Sequence, residues 1–224
     1  MSELEVVRHP RARSLRLSLD PVTGRARLTL PKRAALGPAL AWAEGKAGWL
    51  AAQRAALPEA RPFVPGAVLP VADEDLTVAW TEGSRRTVRR EAGRLSLEGP
   101  LETVPRRVEA WLRREAIELL SQETAEVATI AGVIVAKVAV GDAKGRWGSC
   151  ASSGVIRYSW RLLLAPGFVR RATVAHEVAH RVHMHHGPAF HALAADLLGA
   201  DPAPARDWLR RHGAALHWFG RSSV

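Results

Sequence analysis

Residues 173–182 read T-V-A-H-E-V-A-H-R-V and contain an H-E-x-x-H pentapeptide. Apart from this motif and Arg181, the stretch is uncharged, which predicts a helix packed against a core. On a helix, His176 and His180 lie about one turn apart on the same face and can bind one Zn²⁺. Glu177 can then act as general base toward a zinc-activated water. The pattern predicts a zinc-dependent hydrolase, and the competing interpretation is a set of ordinary core or surface histidines.

A catalytic zinc site needs a third protein ligand and an open position. Four more histidines follow the motif closely: His183, His185, His186 and His191. On a continuing helix His183 would lie about 10 Å along the axis from His176, too far for the rings to converge. Gly187-Pro188 indicates a turn, and a histidine directly before it can fold back over the metal. This favours His186 as the third ligand, with His185 as the rival.

Further motifs precede and follow the pentapeptide. R-W-G-S-C occupies residues 146–150, and G-V-I-R-Y-S-W-R-L occupies residues 154–162. His186 follows the pentapeptide after five residues, and Phe190 follows after three more. In this order and spacing the chain resembles the YgjP-like metallopeptidases, which are related to the SprT-like and WLM zinc proteases. The resemblance is strongest over residues 133–195 and extends weakly toward the N-terminal segment.

The resemblance implies a peptidase in which His176, His180 and His186 bind zinc and Glu177 is the general base. It also implies a zincin-like core, built from the H-E-x-x-H helix and a small twisted sheet.

Three positions depart from the family pattern. His185 stands where the family has Asn, directly before the third ligand, so the choice between His185 and His186 stays open. Ser159 replaces the Asn of an Asn-Trp pair, and His191 replaces an aromatic residue. The last two changes concern hydrogen bonds around the ligands and not the metal itself.

Residues 146–150 predict a strand, and zincin-type peptidases, which this chain resembles, hold an extended peptide on a strand edge beside the metal. Gly148 would permit close backbone approach. Trp147 can supply a wall, and Arg146 can meet a carboxylate or an oxyanion. The alternative for Trp147, as for Trp160, is core packing.

The wider pattern predicts an α+β fold in two parts. Residues 1–103 contain a hairpin and several short strands with one helix over residues 34–57, and we expect an N-terminal β-rich lobe there. Residues 104–224 predict a long helix to about residue 131, then three strands and three helices. We assign this second part to the zincin-like hydrolase domain.

The net charge of +10 and the isoelectric point of about 11.1 predict weak, non-specific association with nucleic acid or another polyanion. Cys150 is the only cysteine, so an intramolecular disulfide and a cysteine-based zinc site are both excluded. We find no export signal and no membrane-spanning segment, and we expect a cytoplasmic protein.

Peptide hydrolysis is the favoured function, and two alternatives remain. The first is a metal-dependent nucleotide phosphohydrolase (a pyrophosphatase), because a basic surface attracts polyanions. The second is a basic nucleic-acid-associated protein with structural zinc. The presence of Glu177 and the lack of a clear fourth ligand argue against the second alternative.

Overall fold

The computed structural model describes residues 4–84 and 87–222. It shows an α+β protein with two compact units, Met1–Glu59 and Ala60–Val224. Residues 60–103 therefore belong to the second unit, whereas composition placed a boundary after residue 103. That boundary stays a prediction. Within the described residues, no helix is long and apolar enough to cross a membrane.

The first unit contains a three-stranded sheet and two short helices. Its elements are β1 (Leu4–His9), β2 (Arg16–Leu19), β3 (Ala26–Pro31), α1 (Leu36–Glu44) and α2 (Ala47–Ala55). The predicted hairpin is confirmed as the antiparallel pair β2 and β3, while β1, which lacks a clear alternating pattern, pairs parallel to β3. The single helix predicted over residues 34–57 is wrong, because one helix ends at Glu44 and a second begins at Ala47, with Lys46 outside helical geometry between them.

A four-stranded sheet and a long helix open the second unit. The elements are β4 (Val68–Val71), β5 (Glu74–Thr81), β6 (Arg89–Glu91), β7 (Arg94–Glu98) and α3 (Val104–Ala131), with strand order β4-β5-β7-β6. Alternate residues of β4, β5 and β7 are buried, as the period of two predicts. Their apolar side chains share one core with the buried face of α3.

A second sheet follows α3, and it lies next to the candidate site. It comprises β8 (Lys137–Gly141), β9 (Gly148–Cys150) and β10 (Val155–Ser159) in the order β8-β10-β9. The predicted hairpin of the last two strands is confirmed, because β9 and β10 pair antiparallel. Among the described strands β9 is therefore an edge.

Three helices complete the unit: α4 (Gly167–Ala179), α5 (Pro188–Leu198) and α6 (Ala203–Leu216). Asp73 fixes the start of α4, because its Oδ1 accepts a 2.7 Å hydrogen bond from the Gly167 amide. Farther along, Arg170 Nε donates to Glu123 Oε1 of α3 at 2.9 Å, and both side chains are only 7% exposed. A buried ion pair of this kind ties the position of α4 to α3.

Candidate metal centre

Three histidine side chains meet at the end of α4. His176 lies in its last turn, His180 is the residue that caps it, and His186 lies in the following loop. One ring nitrogen from each comes within 4.8 Å of the others, and Nε2 of His176 lies 3.2 Å from Nε2 of His186. Two ligand nitrogens on a tetrahedral zinc would be about 3.3 Å apart, given Zn–N bonds of about 2.0–2.1 Å.

The loop brings His186 back because α4 ends early. The helix stops at Ala179, and the amide of His183 bonds to the Ala179 carbonyl at 2.9 Å as the chain turns. His183 and the exposed His185 are therefore outside the three-histidine group in the described part of the chain. The structure brings His186, and not its rival His185, to the other two rings.

Phe190 holds the three rings in place. It is 1% exposed, and its ring centroid lies 4.8 Å from His176, 4.5 Å from His180 and 4.7 Å from His186. One aromatic ring therefore packs against all three imidazoles. The sequence placed Phe190 in the family pattern, but that pattern did not indicate this contact.

His176 and His180 favour the neutral form of the imidazole ring, which can bind a metal cation. Burial, together with the neighbouring His180 and His186, lowers the pKa of His176 to about 4. Burial also lowers the pKa of His180. Neutral imidazole is the form that binds metals. His180 Nδ1 lies 3.1 Å from the His183 carbonyl oxygen, so the neutral ring donates there and leaves Nε2 free to act as a ligand. The donor set thus fits a zinc ion.

Glu177 projects from α4 toward β9 and is 5% exposed. Burial raises the pKa of this carboxyl group to about 7, although the nearby Arg146 charge opposes the shift. A base with a pKa near neutrality can both accept and return a proton. The carboxylate packs directly on Gly148, where an added Cβ atom would lie 2.6 Å from Glu177 Cδ. A side chain at position 148 would therefore displace the Glu177 carboxylate, whereas the sequence suggested that Gly148 admits a substrate backbone.

Replacing Gly148 by alanine should displace the Glu177 carboxylate. We expect kcat for the hydrolysis that the sequence predicts to fall by about a hundredfold with little change in KM, because a misplacement of about 1 Å can cost that much. Steady-state kinetics, with zinc content and thermal unfolding measured on the same preparation, test this. Gly145→Ala is the matched control, since nothing lies within 4 Å of the Cβ it would add. Equal kcat values for the two variants would contradict the role of Gly148.

A cavity of about 520 Å³ is lined in part by His176 and His186. The predicted substrate-binding residues Arg146, Trp147 and Gly148 all line it, together with Glu177. Two helices supply another part of the wall: α5 through His191, which the sequence had singled out, and α6 through residues that it had not, namely Ala205, Arg206 and Leu209.

Trp147 is positioned by the C-terminal part of α6. Its ring lies 5.1 Å from that of His217, and an added Cβ at Gly213 would come within 2.9 Å of its Cζ2 atom. Trp147 is only partly buried and reaches the cavity, whereas Trp160 is fully buried in the core. The two tryptophans that the sequence could not separate thus have different environments.

Arg181, the charged departure within the motif stretch, has a structural explanation. Its Nε donates to the Ile134 carbonyl and its Nη1 to the Ser152 carbonyl, both at 3.2 Å. The side chain therefore ties the end of α4 to the segment before β8 and to the turn between β9 and β10. Ser159 caps the 3₁₀ turn 160–164 by accepting a hydrogen bond from the Arg161 amide, and it makes no contact with the three histidines in the hydrogen bonds described.

A comparison with models of known protein families matches residues 13–212 to the YgjP-like metallopeptidase domain. Comparisons with curated proteins and with solved structures found no match. The matched segment includes the three histidines, Glu177 and β9, and it covers most of the 224 residues. The resemblance indicated by the motifs is therefore confirmed, and the chain belongs to the YgjP-like metallopeptidase family.

Proposed function

We propose that the protein hydrolyses peptide bonds with a zinc ion held by His176, His180 and His186. The observation that carries this proposal is the convergence of three imidazole nitrogens beside a buried carboxylate at one cavity. This combination is typical of catalytic zinc sites, which keep one position open for chemistry. When bound, a zinc ion supplies Lewis-acid activation of water and of the scissile carbonyl.

Glu177 takes the role of general base. Its carboxylate accepts a proton from the attacking water and returns that proton to the leaving amine. The pKa of about 7 that burial produces supports both steps near neutral pH, and attraction to a bound cation would shift this pKa downward. The contact with Gly148 holds the carboxylate in one orientation.

The edge strand β9 is the proposed peptide-binding element. It pairs with β10 on one side only among the described strands, and it contacts α4. An extended peptide can add to such an edge through main-chain hydrogen bonds. Arg146 and Trp147 precede this strand and line the cavity, which suits contacts with substrate side chains. The placement of β9 beside α4 also supports a zincin-like core.

Nucleotide phosphohydrolysis is the second candidate, and one observation favours it. Arg146 and Arg206 both line the cavity, and neither forms an ion pair or side-chain hydrogen bond with the rest of the described chain. Unpaired guanidinium groups beside a metal centre can bind phosphate.

Hydrolysis assays on metal-free and zinc-loaded protein distinguish the candidates. We expect a mixture of unstructured peptides to be cleaved only after addition of about one equivalent of zinc, with the products identified by mass spectrometry. Nucleoside triphosphates should remain intact under the same conditions. Zinc-dependent release of phosphate or pyrophosphate, without peptide cleavage, would instead establish the second candidate.

A further inference from the structure

Arg206 of α6 contributes a positively charged side chain to the lining of the cavity. It lies on the face of α6 that also presents Ala205 and Leu209 to the cavity, with Pro202 just before the helix. Arg206 is exposed and has no ion pair or side-chain hydrogen bond within residues 4–84 and 87–222. Its positive charge is therefore available to a bound molecule.

The wall around Arg206 is largely apolar. Ala172, Ala194 and Ala205 are buried, and Leu209 and Trp147 are half-buried. The volume of about 520 Å³ is within the range of about 300–1,000 Å³ that is typical of ligand pockets. Such a wall favours an aliphatic or aromatic side chain, whereas a triphosphate placed there would lose much of its hydration.

We propose that the enzyme prefers peptides that present a large apolar side chain to this cavity and a carboxylate to Arg206. This inference rests on the proposed peptidase function. The carboxylate has two possible sources, an acidic side chain or the C-terminus of a short peptide, and both offer the same planar group to a guanidinium. One arginine on an apolar wall matches one negative charge better than the several charges of a nucleotide.

Substitution of Arg206 tests substrate recognition more directly than substitution of Arg146 does. The charge of Arg146 acts on Glu177, so a change at Arg146 would alter the general base as well as any substrate contact. Arg206 lies on a different helix and is not among the charges that act on Glu177, although its charge does act on His176. Substitution at Arg206 therefore tests recognition of the substrate carboxylate, provided that the variant and the wild type bind equal amounts of zinc.

The test uses the zinc-loaded full chain and two pairs of apolar peptides. One pair differs only in a free or amidated C-terminus, and the other only in glutamate or glutamine near the scissile bond. We expect kcat/KM to favour the carboxylate member of at least one pair by about five- to tenfold, as for a partly exposed charge-assisted hydrogen bond. The pair that shows the preference identifies the source of the carboxylate.

In Arg206→Gln this ratio should fall to about one, and in Arg206→Glu it should fall below one, because the new carboxylate repels that of the substrate. Arg210→Gln is the matched control, because Arg210 lies one turn along α6, outside the cavity lining, and pairs with Asp207. The control should keep the wild-type ratio.

Two results would overturn the inference in different ways. If wild-type protein cleaves the carboxylate and neutral members equally well, Arg206 has no selective role, but the peptidase function stands. If wild-type protein cleaves none of the peptides and instead hydrolyses nucleoside triphosphates, with loss of that activity in Arg206→Gln, the peptidase function fails as well.

Discussion

Replacement of Glu177 by glutamine is expected to lower kcat/KM for peptide hydrolysis by about two to four orders of magnitude. The amide has nearly the same shape as the carboxylate, so it can pack on Gly148 in the same way. It cannot accept a proton from water. Steady-state kinetics on a cleaved peptide, with zinc stoichiometry measured by elemental analysis, test the expectation.

Zinc content shows whether a loss of activity comes from the missing general base or from a missing metal ion. None of the three histidines is changed in Glu177→Gln, so it should bind zinc as the wild type does. Glu102→Gln removes a carboxylate of the same kind from an exposed position outside the cavity and should retain full activity. Comparable kcat/KM values in Glu177→Gln and wild type, at equal zinc content, would refute the general-base assignment.

Local sequence patterns predicted the elements of the site but not all of the contacts between them. Helical periodicity and Pro/Gly signals correctly indicated α3, α4 and α6, because these signals act within one or two turns. The pentapeptide placed His176 and Glu177 on one helix for the same reason. The early end of α4 at Ala179 was not predicted, since no Gly or Pro marks it.

Contacts between segments that are distant in sequence could not be predicted from such local patterns. The close contact between Gly148 and Glu177 joins residues 29 positions apart, and it forms only when β9 packs beside α4. Arg206 carries no local signal at all, because its place in the cavity depends on how α6 packs against α4. Arg181 looked anomalous within an apolar helix until its carbonyl partners were known.

Loss of a metal ligand is the second large effect that we expect. His176→Ala and His180→Ala should release zinc, because each removes one of three nitrogen donors at the centre. Substitutions of residues that only support a ligand typically weaken metal binding by about 10–100-fold, so removal of a ligand should exceed that range. Competition with a chromogenic chelator measures the change, and unchanged zinc stoichiometry in either variant would refute the assignment.

The third ligand allows a sharper comparison, because two adjacent histidines serve as test and control. His186→Ala should weaken zinc binding by more than about a hundredfold, whereas His185→Ala should change it by no more than a few-fold, since only the His186 ring reaches His176 and His180.

Thermal unfolding gives an independent measure of the difference in zinc binding between His186→Ala and His185→Ala. A ligand that binds the folded state raises the unfolding temperature. Zinc should therefore stabilise wild type and His185→Ala and have much less effect on His186→Ala. The opposite order in both measurements would transfer the ligand role to His185, and the loop from 180 to 187 would then have to adopt a different path in the zinc-bound protein.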